Sequence, residues 1–118
     1  FEELTCWQDS VTLAVKIYAH TSRSAFKNDY DLIRQMRRAA ISISSNIAEG
    51  FERNGSKEFI RFLNIAKGSS GELRSQLLIS YKLEYIDEQM YQELKQNLLE
   101  VSRQIKGLAK YLTTQNNF

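Results

Sequence analysis

Apolar residues recur along most of the chain at steps of three and four residues, the spacing that places side chains on one face of an α-helix. The clearest series lies near the carboxyl end and is close to the heptad spacing of packed helical bundles. It consists of Met90, Leu94, Leu98, Val101, Ile105, Leu108 and Leu112. Strand-like alternation of useful length is lacking, so the sequence predicts an all-α fold.

Three earlier segments show the same periodicity, which gives four predicted helices at about 9–24, 29–51, 56–82 and 87–113. Capping residues support their starts: Asp9 or Ser10, Asn28 or Asp29, Ser56 and Asp87. The first apolar series is Leu4, Trp7, Val11, Ala14, Val15 and Tyr18. The second is Ile33, Met36, Ala40, Ile43, Ile47 and Phe51, and the third is Phe59, Phe62, Leu63, Ala66, Leu73 and Leu77.

Short connections between long helices favour antiparallel neighbours. We therefore predict one domain over residues 1–118, an antiparallel four-helix bundle with up-down-up-down topology. The absence of proline from the sequence permits long uninterrupted helices.

Composition limits the possible partners. The chain has 118 residues with 16 Lys+Arg and 14 Asp+Glu, a net charge of +2. This balance does not require a polyanionic partner, so a nucleic-acid site would have to come from local clustering of cations. No apolar run is long enough for a membrane span. The single cysteine, Cys6, cannot form an intrachain disulfide and suits the cytoplasm.

Catalytic signals are weak. The single histidine, His20, has no Glu-x-x-His partner of the kind that a di-metal bundle uses, and the chain has no phosphate-loop glycine pattern. His20 is interpreted as a polar surface or helix-end residue, and Cys6 as a packing thiol. We expect no catalytic residue, no metal site and no cofactor, so the protein is predicted not to be an enzyme.

Two surfaces carry side chains that are unusual for solvent-facing helices. On the second helix, serine and asparagine replace better helix formers, and the third helix contains two internal glycines. Both surfaces favour close packing of another helix or subunit. For the second helix, contact with a ligand or nucleic acid and an ordinary exposed surface remain the alternatives. For the third helix, the alternative is a locally weakened helix. The predicted oligomer interface is Ser42, Asn46, Glu49, Asn64, Gly68 and Gly71.

From Arg34 to Arg74, the second helix, the third helix and their connection carry eight basic residues, two of which are Lys67 and Arg74. The other six are expected to form one patch near the connection between these helices, where arginine could bind phosphate in a bidentate manner. Interleaved glutamates favour the alternative, a salt-bridged surface. The six predicted nucleic-acid-binding residues are Arg34, Arg37, Arg38, Arg53, Lys57 and Arg61.

Three groups of residues resemble the pattern of a known family. Leu4, Trp7 and Gln8 resemble its amino-terminal element, and the run RRAAISISSNIAEG at 37–50 resembles its central motif. The run EFIRFLNIAKGS at 58–69, with Glu72, Leu73, Gln76 and Leu77, resembles its third-helix pattern. The family is that of the bacterial 23S rRNA-intervening sequence proteins. Ser44 is a departure, because the family often has proline there.

This resemblance implies a four-helix bundle that assembles as a homopentamer and associates with RNA. The predicted function is that of a non-enzymatic, homo-oligomeric, cytoplasmic bundle that binds or organises RNA. The alternative is a protein-interaction scaffold that binds no nucleic acid but has an unknown protein partner.

Overall fold

Four α-helices pack along a common axis in a computed structural model that describes residues 1–115, with extents of 52 × 21 × 21 Å. The helices are α1 (Thr5–Thr21), α2 (Tyr30–Glu52), α3 (Ser56–Lys82) and α4 (Glu88–Gln115). Consecutive helices pack together, and α1 also packs against α4. Since the connections are short, neighbours run antiparallel, and the predicted four-helix bundle is confirmed. The last three residues of the predicted domain lie outside the described range.

The starts of α2 and α4 follow the predicted capping chemistry. A carboxylate oxygen of Asp29 accepts a hydrogen bond from the backbone N–H of Leu32 at 3.2 Å. Asp87 accepts one from the N–H of Met90 at 2.8 Å. Each bond satisfies a donor that the first turn of a helix leaves free. The prediction of Ser56 as the third cap is wrong, because the cap is Gly55, whose φ of 91° lies in the region that favours glycine.

The predicted bounds and buried face of α1 are wrong. The helix begins at Thr5 after Leu4, which provides no side-chain cap, and ends at Thr21 rather than near residue 24. Asp9 and Ser10 therefore lie inside the helix. Two hydroxyls are buried because each donates to a carbonyl of its own helix: Ser10 to Trp7 and Thr21 to Ile17, both at 2.7 Å. The buried residues are Cys6, Ser10, Leu13, Ala14, Ile17 and Thr21.

The buried face of α1 is thus rotated from the predicted one. Of the predicted series, Ala14 is buried and Leu4 and Trp7 are half-buried against the core, whereas Val15 and Tyr18 are exposed. The pattern of apolar residues did not indicate this face, because serine and threonine count as polar residues in it.

The apolar series of α2, α3 and α4 form most of the core. Ala40, Ile43, Ile47, Leu63, Leu73, Leu77, Leu94, Leu98, Val101 and Ile105 are at most 1% exposed, and Met36, Ala66 and Phe62 are also buried. The residues nearer the helix ends are half-buried: Ile33, Phe59, Met90, Leu108 and Leu112. Phe51, predicted to be in the core, is exposed and stacks edge-on against Phe59 with ring centroids 5.8 Å apart.

Aromatic residues cover the end of the bundle where two connections meet. Phe26 from the first connection lies against Tyr85 from the last, with ring centroids 4.9 Å apart. The Tyr85 hydroxyl donates to Asp29 at 2.9 Å, which raises the pKa of the phenol. Tyr81 and Tyr91 stack at 5.0 Å between α3 and α4. These contacts join the helix ends across the bundle.

α2 approaches α3 closely at Gly50. A Cβ placed there would lie 2.7 Å from the Cβ of Phe62 and 3.0 Å from Cδ1 of Phe59. It would also lie 3.3 Å from a backbone oxygen, that of Phe59. Real Cβ atoms do not approach other carbons so closely, so any side chain would force the helices apart. Glycine at this position permits the tight packing of α2 on α3.

We predict that Gly50→Ala lowers the free energy of unfolding by about 1–3 kcal/mol, the usual cost of overpacking. The matched control is Gly107→Ala in α4, where a new Cβ meets no atom within 4 Å. This control should raise the free energy of unfolding by about 0.5–1 kcal/mol, because alanine is the better helix former. Urea denaturation followed by circular dichroism measures both. Equal stabilities for the two variants would contradict the close approach.

Candidate nucleic-acid and subunit-contact surfaces

The six predicted phosphate-binding residues do not form a single patch. Arg34, Arg37 and Arg38 lie in the first half of α2, and Arg53 lies just beyond its end. Nineteen residues separate Arg34 from Arg53, which corresponds to about 28 Å along a helix. The structure therefore divides the six residues into three groups.

The first group lies at the connection between α2 and α3, where two guanidinium groups flank one aromatic ring. Arg53 lies over Phe62 with its Cζ 5.1 Å from the ring centroid, and Arg61 lies over the same ring at 4.5 Å. Cation–π contacts of this kind restrict the rotamers of long side chains. Lys57 is exposed in the first turn of α3, near both arginines in sequence. We call Arg53, Lys57 and Arg61 the connection cluster.

Both arginines of the connection cluster also contact carboxylates. Arg53 pairs with Glu49 at 3.2 Å, and Arg61 pairs with Glu58 at 3.0 Å. The hydrogen bond from Arg61 lowers the pKa of Glu58. All four side chains are largely exposed, so these pairs are weak and can exchange for other anions.

The second group is Arg37 alone, whose side chain forms part of the contact between α1 and α2. Its Nε donates to the Thr21 hydroxyl at 2.9 Å, and its Nη2 donates to the Ser22 hydroxyl at 3.0 Å. The guanidinium also lies over Tyr18 at 4.5 Å. Arg37 therefore positions α1 against α2 through hydrogen bonds from its Nε and Nη2.

The third group is Arg34 and Arg38, which line a groove between α2 and α3. Arg34 pairs with Asp31 at 2.9 Å. Glu72 and Gln76 of α3 form the other side of this groove. The charges here are mixed, and the acidic residues reduce the attraction for phosphate.

The α2 part of the predicted oligomer interface faces α3 of the same chain. The hydroxyls of Ser42 and Ser69 hydrogen-bond at 2.8 Å, and Asn46 donates to the backbone oxygen of Ser42 at 2.8 Å. Ser42 and Asn46 are half-buried there, and Glu49 is exposed. The small side chains of this flank thus serve helix packing within the monomer.

The α3 part of the predicted interface is open to solvent. Asn64, Gly68 and Gly71 are exposed, and a Cβ at either glycine would meet no atom within 4 Å. On the same side of α3 as Gly68 lie Ile65, three residues before it, Ile79, eleven residues after it, and Leu83 at the end of the helix, each between 42% and 49% exposed. Large apolar side chains aligned on one helix face are characteristic of a contact surface. We call Ile65, Gly68, Ile79 and Leu83 the α3 stripe.

The two residues considered for chemistry have simple surroundings. Burial raises the pKa of the Cys6 thiol, as expected for a packing cysteine. Partial burial, and then the positive charge of Arg23, lower the pKa of His20. Within residues 1–115, no group of three His, Cys, Asp or Glu side chains is arranged to hold a metal ion.

One basic surface of the structure was not predicted from the sequence. Lys67 and Arg74, left out of the predicted site, line a groove between α3 and α4 together with Ser102 of α4. The signal that could have revealed it is periodicity, because basic residues recur on matching faces of both helices. The predicted patch instead grouped basic residues that lie near the connection between α2 and α3 in the sequence.

None of the helices in the described part of the chain is sufficiently long and apolar to cross a membrane. A comparison with curated proteins gives no match. Among solved structures, the chain is similar to a protein of unknown function from the S23 ribosomal protein family of Bacteroides thetaiotaomicron. The TM-score is 0.82 at 24% sequence identity, with 90% of this chain and 99% of the other covered. This similarity supports the four-helix fold independently.

The sequence pattern of a family also matches, over nearly the full length. Residues 2–107 match the family described as 23S rRNA-intervening sequence protein. The match includes the Gly50 contact, the connection cluster and the α3 stripe. The chain belongs to the 23S rRNA-intervening sequence protein family.

Proposed function

We propose that the protein is a non-enzymatic bacterial bundle that assembles with further copies of itself and binds RNA in the cytoplasm. The observation that carries the RNA proposal is the connection cluster, where the Phe62 ring holds Arg53 and Arg61 in place. Guanidinium groups that are already ordered lose less rotamer freedom when they bind phosphate. The exposed glutamate partners can be displaced by a stronger anion.

The start of α3 adds a second attraction for phosphate at the same place. Its cap, Gly55, provides no side-chain acceptor for the N–H groups of the first turn. Those groups carry the positive end of the helix dipole. Lys57 lies in that turn and adds positive charge. Glu58 lies in the same turn, and its negative charge weakens the attraction for phosphate. The connection cluster therefore combines three cations with a helix start.

Self-association is supported by the α3 stripe. Three large apolar side chains are partly exposed there, and the open Gly68 allows another backbone to approach. Such a stripe would contact a different surface of the next copy. An interface of this kind is heterologous, and its repetition can produce a closed ring. The family resemblance implies a pentamer. Five copies would repeat the connection cluster and allow weak contacts to act together.

The ion pairs at the connection cluster favour the alternative function. If Glu49 and Glu58 hold their arginines, the cluster is a neutralised surface. The protein would then act as a scaffold for a protein partner, bound through the same exposed faces. The two experiments below distinguish assembly from RNA binding.

We predict that the wild-type protein is a pentamer at micromolar concentration and that Gly68→Leu shifts it towards smaller species. Leucine at this position fits the monomer, because no atom lies within 4 Å of the new Cβ, but it would obstruct the neighbouring subunit. Gly107→Leu, an equally open change on α4, is the matched control and should remain a pentamer. Size-exclusion chromatography with light scattering gives the masses. A monomeric wild type, or no change with Gly68→Leu, would contradict assembly through the α3 stripe.

We predict that reversing Arg53 and Lys57 to glutamate weakens RNA binding. Two lost phosphate contacts should reduce the slope of log affinity against log salt by roughly 1.4 for single-stranded RNA. The measurement is fluorescence anisotropy with a labelled oligouridylate over a range of salt concentrations. The control is Arg23→Glu with Lys27→Glu, two exposed cations in the first connection, with the same change in net charge.

Light scattering should show that both double variants keep the wild-type mass, since long basic side chains beside a connection extend into solvent. If wild type binds no RNA at low salt, the scaffold is the better account. If both double variants lose binding equally, the effect is one of total charge and the connection cluster is not the site.

A further inference from the structure

The groove between α3 and α4 carries a different set of charges from the other grooves of the bundle. Its recess, about 180 Å³ in volume, is lined from α3 by Lys67, Ser70, Gly71 and Arg74, and from α4 by Leu98, Leu99 and Ser102. The recess thus has two cations and no carboxylate among its lining residues. Ser70 donates its hydroxyl to the backbone oxygen of Lys67 at 2.7 Å and is buried.

Helical spacing adds two more cations to this groove. On α4, Lys95 lies four residues before Leu99 and Lys106 lies four residues after Ser102, so they share the face that meets α3. Because the helices are antiparallel, Lys106 falls near Lys67, and Lys95 falls near Arg74. The two members on α3 are about 10 Å apart along the helix axis, because seven residues separate them, and the two on α4 are about 16 Å apart, because eleven residues separate them. We call these four residues the α3–α4 cation track.

The cations of the track are free of carboxylate partners. Of the 115 described residues, none forms an ion pair with any of these four, whereas Arg34, Arg53, Arg61 and Arg103 each have one. Lys95 instead has its Nζ 5.7 Å from the ring centroid of Tyr91. Like charges placed together without compensation raise the local positive potential.

Three glutamates of the same two helices line other grooves or pockets. Glu72 lines the groove between α2 and α3, and Glu100 lines the groove between α1 and α4 while pairing with Arg103. Glu93 lines a pocket at the end of the bundle. A chain with a net charge of +2 thus has one recess whose charged lining residues are both basic.

The recess between the two cation pairs has room for an approaching chain. Gly71 has no side chain, and a Cβ built on it meets no atom within 4 Å. The half-buried Ser102 offers a hydroxyl and Leu99 an apolar surface beside it. A phosphate backbone could approach the serine while a base or sugar contacts the leucine.

We propose that the α3–α4 cation track is a second RNA-binding site, which contacts the phosphate backbone of a single strand lying along the groove. This site rests on the proposed RNA binding but is distinct from the connection cluster. Four unpaired cations spaced along a groove match the repeating charges of a polyanion. An acidic protein segment is the competing ligand, because arginine also binds carboxylates in a bidentate manner, and the test below includes it.

The test compares wild type with Lys67→Glu/Arg74→Glu, using a labelled oligouridylate and fluorescence anisotropy over a range of salt concentrations. We expect the double variant to bind at least roughly tenfold more weakly at low salt, with a salt slope lower by roughly 1.4. Arg23→Glu/Lys27→Glu, with the same change in net charge, should retain most of the wild-type affinity. Light scattering should show an unchanged assembly.

A second variant tests whether filling the recess, without any change in charge, reduces RNA binding. Gly71→Leu should fill the recess without changing any charge and reduce RNA affinity, whereas Gly107→Leu should leave it unchanged. Polyglutamate serves as the alternative ligand. Tighter binding of polyglutamate than of RNA would overturn the proposal, as would loss of assembly in Lys67→Glu/Arg74→Glu.

The outcomes also separate the two RNA proposals. Wild type that binds no RNA would overturn both. Wild type that binds RNA, with Arg53→Glu/Lys57→Glu impaired and Lys67→Glu/Arg74→Glu unaffected, would overturn the track alone. The reverse result would support the track and locate RNA binding away from the connection cluster.

Discussion

The contact at Gly50 determines how α2 and α3 lie against each other, and the candidate surfaces follow from it. Because this residue has no side chain, the Cβ of Phe62 comes within 2.7 Å of the place where its own Cβ would be. Phe62 is thereby held at the end of α2, where Arg53 and Arg61 can lie over its ring. The same packing turns the outer side of α3 to solvent and exposes the α3 stripe. A helix-packing constraint thus positions both the connection cluster and the proposed subunit contact.

Charge is distributed by groove rather than by helix. The α1–α4 and α2–α3 grooves contain both carboxylates and cations, whereas the charged residues that line the α3–α4 recess are both cations. Each helix contributes to two grooves, so a residue's neighbours in space differ from its neighbours in sequence. This arrangement explains how a chain with nearly balanced charge can present a basic face. It also explains why the mild net charge is a poor guide to binding.

The sequence predicted the fold well because the apolar periodicity of α2, α3 and α4 reports directly on burial. It failed for α1, where Ser10 and Thr21 are buried by bonding to their own helix and the pattern indicated Val15 and Tyr18 instead. The candidate sites were predicted less well. Arg37 and Arg38 are adjacent in sequence, yet helical rotation directs Arg37 to α1 and leaves Arg38 beside α3. Tertiary packing determines which side chains pair and which groove a residue lines. The spacing of residues along one helix does not show this packing.

The central claim is that RNA lies on two basic surfaces of the bundle, the α3–α4 cation track and the connection cluster. Photocrosslinking of the wild-type assembly to 4-thiouridine RNA, followed by mass spectrometry of the linked peptides, tests it most directly. The account predicts adducts in peptides that contain residues 53–61, 67–74 and 95–106, with few in α1. Adducts concentrated in α1 or in the first connection, or none above background, would contradict it.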